Sequence, residues 1–354
     1  INTVGAGGGS IAWRDVGGFL NVGPRSAGAY PGPACYGQGG EAATVTDANL
    51  LLGRLSAEAP LGGAIRLNQA AAAAAVESLA DALGVAPLQM ADGIVKLAVA
   101  RMTTAVKEIS IMRGHDPRDF SLFAYGGAGP MHAAAVAAEL AIARMVIPPL
   151  PGNFSALGLL AADVRYDHVS SRLAPLAELS LAALQAAFDE MRDRGREALT
   201  AEGVPAAAMR FLAALDLRYR GQAFELTVAM PEDAGTIADV EAAFRHVYAE
   251  RYGEAPEDPA ELVCLRLSAV GALAKPEVAL TAGGDLAAAR LGGARVAFDA
   301  EPCEADLYDR DRLPAEAAFR GPALVLEAGA TTVVPPGHRV RVDGFGNLIM
   351  EREA

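Results

Sequence analysis

The chain has 354 residues, 52% of them hydrophobic and 21% charged, with a formal net charge of −13. That length carries two or three domains with cores of their own, and the composition excludes a disordered chain. The acidic balance argues against a nucleic-acid partner, because such binding needs cations to neutralise phosphates. Cys35, Cys264 and Cys303 are odd in number and far apart, with no C-x-x-C spacing. They fit a reducing cytoplasm and buried thiols better than disulfides or zinc. The most apolar run, 131–150, is interrupted by His132, Glu139 and Arg144, so no membrane span is expected.

The chain opens at Ile1, without an initiator Met, and runs into Val4-Gly5-Ala6-Gly7-Gly8-Gly9-Ser10. Glycine has no Cβ, so such a run lets backbone N–H groups close on a phosphate or on another chain. A phosphate loop normally follows a strand, which is therefore expected upstream of Ile1. The run nearly matches a dinucleotide fingerprint, but that fingerprint needs a helix after its glycines. Residues 11–13 and 19–22 read instead as two strands around Asp15-Val16-Gly17-Gly18,. A corner that packs backbones together and a ligand contact stand as equal alternatives.

Residues 29–37 read as turns, and Asp47 opens a short helical run, with Asp47 itself as an N-cap,. An Ala-rich helix follows over 68–83 and a longer one over 90–113, where Ile94, Leu97, Ala98, Met102, Val106 and Ile109 recur at helical spacing and Gly114 stops the run,. His115 beside it reads as a group at that helix end. Residues 120–125 are a short buried-strand candidate. Gly126-Gly127-Ala128-Gly129 is a tight turn, and Pro130 sits where a first helical residue belongs,. The helix is expected to reach about 143, with a strand over 145–147. Strand, helix and strand in that order predict a right-handed crossover and a mostly parallel sheet.

Ligands in open α/β sheets bind outside the carboxyl ends of strands, where a helix start offers free N–H groups. Gly126, Gly127, Ala128 and Gly129 are therefore nucleotide candidates, with His132 in the helix's first turn; close helix–strand packing is the alternative. A boundary is expected near 163–172, dividing 1–165 from an α+β region over 166–354. That region reads as helices over 179–201 and 240–252 and strands over 215–219, 224–228, 262–270, 323–326, 339–342 and 348–351. No Ser/His/Asp order and no metal-ligand cluster stands out.

Several ordered motifs carry a resemblance. Gly5-Ala6-Gly7-Gly8-Gly9-Ser10, Pro31-Gly32-Pro33-Ala34-Cys35-Tyr36-Gly37, Thr44-Val45-Thr46-Asp47-Ala48-Asn49, Arg113-Gly114-His115-Asp116-Pro117, Gly126-Gly127-Ala128-Gly129-Pro130, Phe154-Ser155-Ala156-Leu157-Gly158 and Arg218-Tyr219-Arg220-Gly221-Gln222 together resemble the hydantoinase A/5-oxoprolinase family. The resemblance implies an α/β fold: the second half of an actin/sugar-kinase-like (ribonuclease H-like) ATPase core, then an α+β C-terminal domain. It implies ATP and Mg2+ as cofactors and ATP-dependent hydrolysis of a cyclic amide through phosphorylation of its oxygen. The Gly126–Gly129 turn would serve the adenosine side of the nucleotide. Gly7, Gly8, Gly9, Ser10 and Asp47 would be phosphate- or substrate-side candidates, and the catalytic Asp-Gly-Gly-Thr motifs are expected upstream of Ile1. A hydantoinase B-like subunit or fused domain would complete a hetero-oligomer. An acetone-carboxylase-like ligase subunit and a non-catalytic nucleotide-binding module are the alternatives.

Overall fold

A computed structural model describes residues 3–57, 65–277 and 279–353. The chain forms two compact units, residues 1–157 with 277–354, and 158–276.

The first unit begins with the antiparallel hairpin β1 (Ser10–Arg14) and β2 (Leu20–Ser26). Asp15 closes its turn by accepting from the N–H groups of Gly17 and Phe19, each at 2.9 Å. Helix α1 (Val45–Leu51) follows. Its N-cap is Thr44 and not Asp47, which stands three residues in and completes a reciprocal capping box,. The buried Asp47 carboxylate also reaches back to the 29–37 segment, accepting from Cys35 N–H at 2.8 Å and Ala34 N–H at 3.3 Å. It holds Thr44 by its N–H at 2.9 Å and its hydroxyl at 2.6 Å. Helix α2 (Gln69–Leu83) is capped by Asn68, and α3 (Pro87–Ile109) continues as a 3-10 turn to Arg113 before the left-handed Gly114. The buried positions of α3, Met90, Ala91, Ile94, Val95, Ala98 and Val99, keep the helical spacing that the sequence shows,.

Strand β3 (Leu122–Phe123), helix α4 (Gly129–Glu139) and strand β4 (Arg144–Ile147) form the expected crossover, and the two strands are parallel. Two expectations change here. The strand before the glycine turn is not buried: Phe120 is 55% and Tyr125 50% exposed. The sheet is not mostly parallel either, since β3–β4 is the one parallel pair in a five-stranded order completed by strands from the chain's last residues. Helix α5 (Phe154–Ala161) then leads across the division between the units.

The second unit is β5 (Val164–Pro175), α6 (Leu181–Ala201), β6 (Met209–Tyr219), β7 (Leu226–Ala229), α7 (Ile237–Tyr252) and β8 (Ala260–Gly271). Its sheet, ordered β5-β8-β6-β7, is antiparallel throughout. Leu184, Phe188 and Met191 of α6 and Val240, Phe244 and Tyr248 of α7 pack on Leu215, Leu217, Leu265 and Leu267 of the sheet. Gly195 lets α6 lie close, because a Cβ there would stand 2.6 Å from that of Ala269. The segment expected to be a boundary, 163–172, is mostly strand β5, paired residue by residue with β8. Exposed and half-buried positions alternate only at its start, through Arg165 and Asp167, so the segment shows little of a strand's periodicity,.

The remaining elements belong to the first unit: α8 (Leu286–Ala289), β9 (Arg290–Phe298), β10 (Glu301–Asp309), β11 (Ala318–Arg320), β12 (Ala323–Glu327), β13 (Ala330–Val334), β14 (His338–Val342) and β15 (Leu348–Arg352). They build a four-stranded sheet, β13-β12-β10-β9, and complete the five-stranded one, β11-β14-β15-β4-β3. The β14–β15 pair turns over five residues, 343–347, and so is antiparallel, as is its junction with β4,. Among the described residues no single helix is long and apolar enough to cross a membrane.

Two substitutions test this account. Asp47→Ala leaves buried donors of Cys35 and Thr44 without their acceptor, so urea denaturation should show a loss of about 2–4 kcal/mol; a loss under about 1 kcal/mol would refute the anchoring role. Ile147→Ala empties a fully buried site where β4 meets β15, and the same measurement should record a loss of about 2–5 kcal/mol.

Candidate nucleotide cleft

The first glycine run folds onto itself before β1 begins. Ser10, 3% exposed, accepts from Gly7 N–H at 2.9 Å through its Oγ and donates to Gly5 O at 3.2 Å. Gly8 O and Gly9 O accept from the N–H groups of Thr46 and Ala27, at 2.9 and 2.8 Å. A Cβ on Gly8 would lie 2.7 Å from Thr46 Oγ1, whereas one on Gly7 would meet open space. The run is thus a tightly packed corner, and the strand that follows it has none of the helix that a dinucleotide site needs,.

The second run joins β3 to α4. Gly126 has φ +86°, a left-handed conformation natural to glycine, and donates its N–H to Pro151 O at 2.7 Å,. Ala128 is the N-cap without a side-chain cap; α4 begins at Gly129, Pro130 has no N–H to offer, and Met131 donates its own to Ala128 O at 3.2 Å. Cβ atoms on Gly127 and Gly152 would stand 3.2 and 3.1 Å from Gly329 O. Three turns therefore meet, around Gly127, Gly152 and Gly329.

Between the two glycine runs lies a cavity of about 420 Å³, in the size range of small-molecule sites. Gly8 and Gly9 form one wall and Gly127 and Ala128 another, with Gly28, Pro33, Tyr36, Thr46, Leu55, Ile65, Met131, Gly329 and Thr331 around them. Among the described residues no charged side chain lines it. The cavity brings together Gly8, Gly9, Gly127 and Ala128 of the sequence candidates; Gly7, Ser10, Asp47, Gly126, Gly129 and His132 are not among its lining residues. Gly126 and Ser10 shape its walls, while Asp47 is fully buried with its oxygens engaged behind them.

His132 is 2% exposed, and neither ring nitrogen has a hydrogen-bond partner among the described residues. Burial, with the nearby Arg54 guanidinium adding to it, lowers its pKa to about 4, so the ring is neutral at pH 7,. Cys35 is a buried free thiol whose pKa is pushed well up by burial and by Asp47, which keeps it unreactive,. Among the described residues no group of three or more His, Cys, Asp and Glu side chains could hold a metal ion.

Sequence reasoning missed Tyr36, Met131, Gly329 and Thr331. Met131 stands two residues after the second glycine run and could have been found; Gly329 and Thr331 are some 200 residues from it in sequence, with no local signal. A larger cavity, about 840 Å³, opens on the five-stranded sheet. Its arginines are already paired, Arg144 and Arg339 with Glu351 and Arg341 with Glu316, so it is a solvated ion-pair surface.

Residues 1–168 match the Hydantoinase/oxoprolinase family, and residues 177–353 match the Hydantoinase/oxoprolinase C-terminal domain. The caprolactamase subunit alpha of Pseudomonas jessenii is 38% identical over 97% of this chain and 51% of its own length. The crystal structure of the ATP-dependent caprolactamase from that organism superposes with a TM-score of 0.80 at 36% identity, over 100% of this chain and 53% of the other. The acetophenone carboxylase gamma subunit of Aromatoleum aromaticum is 33% identical over 99% of this chain and 50% of its own. A nucleotide-free acetone carboxylase structure superposes with a TM-score of 0.84 at 27% identity, covering 98% of this chain and 52% of the other. The chain spans about half the length of these relatives. With both of its parts matched and solved relatives of the same mixed α/β architecture, the chain belongs to the hydantoinase/oxoprolinase family.

Proposed function

We propose that the cleft between the two glycine runs binds the adenosine side of ATP, within an ATP-dependent enzyme that opens a cyclic amide. The observation that carries this reading is the uncharged cavity formed where a helix start and two glycine turns meet. Backbone groups and the Tyr36, Leu55, Ile65 and Met131 side chains suit a neutral base and ribose, while a triphosphate calls for cations that the described residues of this lining lack,. The first unit would then be half of an actin-like ATPase core. The described residues offer no metal-ligand cluster for Mg2+, so no step is assigned to it here.

In the proposed reaction the γ-phosphoryl group of ATP passes to the amide oxygen and ADP leaves. Water adds to the activated carbon, the C–N bond breaks to open the ring as the nitrogen takes a proton, and the acyl phosphate so formed is hydrolysed by a second water to carboxylate and phosphate, with positioning as the main contribution of the protein. The carboxylates that serve the phosphates, and a hydantoinase B-like companion in a hetero-oligomer, would complete the site. A carboxylase reading, in which a ketone oxygen takes the phosphoryl group, draws support from the similarity to acetone carboxylase.

A substrate panel on the full-length protein with its companion tests the reaction. ADP release should rise with a hydantoin, 5-oxoproline or a lactam; stimulation by a ketone plus bicarbonate alone would favour the carboxylase, and nucleotide binding without turnover the binding module. Gly127→Val crowds the cleft against Gly329 O, which a Cβ would meet at 3.2 Å, so ATP affinity, measured well below a lowered unfolding midpoint, should fall roughly tenfold or more, about 1.4 kcal/mol. Unaltered affinity in that variant would move the nucleotide elsewhere.

A further inference from the structure

Behind the cleft, two oppositely charged side chains that the reaction above does not use, the half-buried Glu327 and the buried Arg310, hold the segment that connects β4 to α5 and the end of β4. Glu327, at the end of β12, accepts from Leu150 N–H at 3.1 Å through Oε2. Leu150 is itself left-handed, with φ +49°, and the next residue supplies the carbonyl that receives Gly126 N–H. Two residues beyond Glu327, Gly329 lines the cleft and abuts Gly127 and Gly152. Arg310, 7% exposed, donates to Ile147 O at 3.2 Å and to Gly346 O at 2.6 Å. Among the described residues Glu327 Oε1 and Arg310 Nη1 are both buried without a partner.

We propose that Glu327 is a positioning residue for the cleft, which seats the Gly126–Gly129 turn through Leu150 and Pro151 and works with Arg310 as a clamp on the segment between β4 and α5. Three features support it. The chain of contacts is short and mostly backbone, so a displacement of the carboxylate is passed to Gly126. The buried Arg310 and the half-buried Glu327 hold residues three apart, Ile147 and Leu150, and their opposite charges offset the cost of each other's burial,. The two carbonyls that Arg310 holds end β4 and the β14–β15 turn, so the clamp ties the sheet to the glycine turn.

The clamp is sensitive to protons. Burial pushes the Glu327 carboxyl up to about 7, against the pull of Arg310 and of Leu150 N–H, with Asp311 adding to the rise. Asp311 and Asp343 are the other charged groups that act on Arg310. Above about pH 7 the carboxylate is ionised and attracts Arg310; below it, Glu327 is neutral and keeps only its contact with Leu150.

The nucleotide part of the test depends on the function proposed above, so the experiment has two arms. In the first, a fluorescent ATP analogue is titrated into the full-length protein from pH 6 to 8.5. Wild-type affinity should rise about three- to tenfold across that range, with its midpoint near 7, and E327Q should flatten the profile. In the second, amide exchange at Leu150 and Gly126 is measured without nucleotide, and both should exchange several-fold faster in E327A. A wild-type pH profile in E327Q, or unchanged exchange at Gly126 in E327A, overturns the positioning role. E327Q keeps an acceptor for Leu150 N–H, so it preserves the test should E327A fail to fold. Absence of analogue binding by the wild type overturns the nucleotide assignment, and the exchange arm then decides the role of Glu327.

Discussion

The ladder between β4 and β15 is the contact on which the first unit depends. Leu348, Ile349, Met350 and Glu351 pair with Ile147, Val146, Met145 and Arg144. Met145, Ile147, Leu348 and Met350 are each essentially inaccessible to solvent, and burying side chains of that kind contributes roughly 1.5–3 kcal/mol apiece. This junction ties the chain's last strands to the crossover that carries the glycine turn. The same return of the chain puts the β12–β13 turn, with Gly329, against Gly127 and Gly152.

The cleft is made by backbones that approach more closely than side chains would allow. Gly8 packs on Thr46, Gly9 on Ser26, and Gly127 and Gly152 on Gly329. Such contacts give a rigid wall of peptide groups and no charge. The titratable residues near it are spent on holding the walls: Asp47 fixes α1 to the preceding loop, His132 is buried and neutral, and Glu327 supports the turn behind. The binding role proposed for this cleft agrees with that division of labour.

The helices were legible because each carries its own punctuation. Asn68 and Gly84 bracket α2, and Gly114 closes the run after α3, while the apolar spacing of α3 states its buried face directly. The β6–β7 hairpin and the β14–β15 pair were legible from alternation and a turn between them. Strands β9 and β10 were not, since Arg290-Leu291-Gly292-Gly293 and Glu301-Pro302-Cys303-Glu304 have neither strong alternation nor β-rich composition. They are strands because they pair with each other and, through β10, with β12. Strand β5 was hidden in the same way, its polar stretch lying where a domain boundary was expected.

What the sequence by itself determined is the main helices, the hairpin strands, the two glycine runs and the family to which they belong, since capping, periodicity and motif order are properties of neighbouring residues. Tertiary structure alone decided that the sheet is mainly antiparallel, that the two runs face one cavity, and that Gly329, Thr331 and Glu327 join them. Those facts depend on contacts between residues as far apart as 127 and 329. Such contacts are fixed by strand pairing and buried apolar surface, and they leave no signature in the residues nearby.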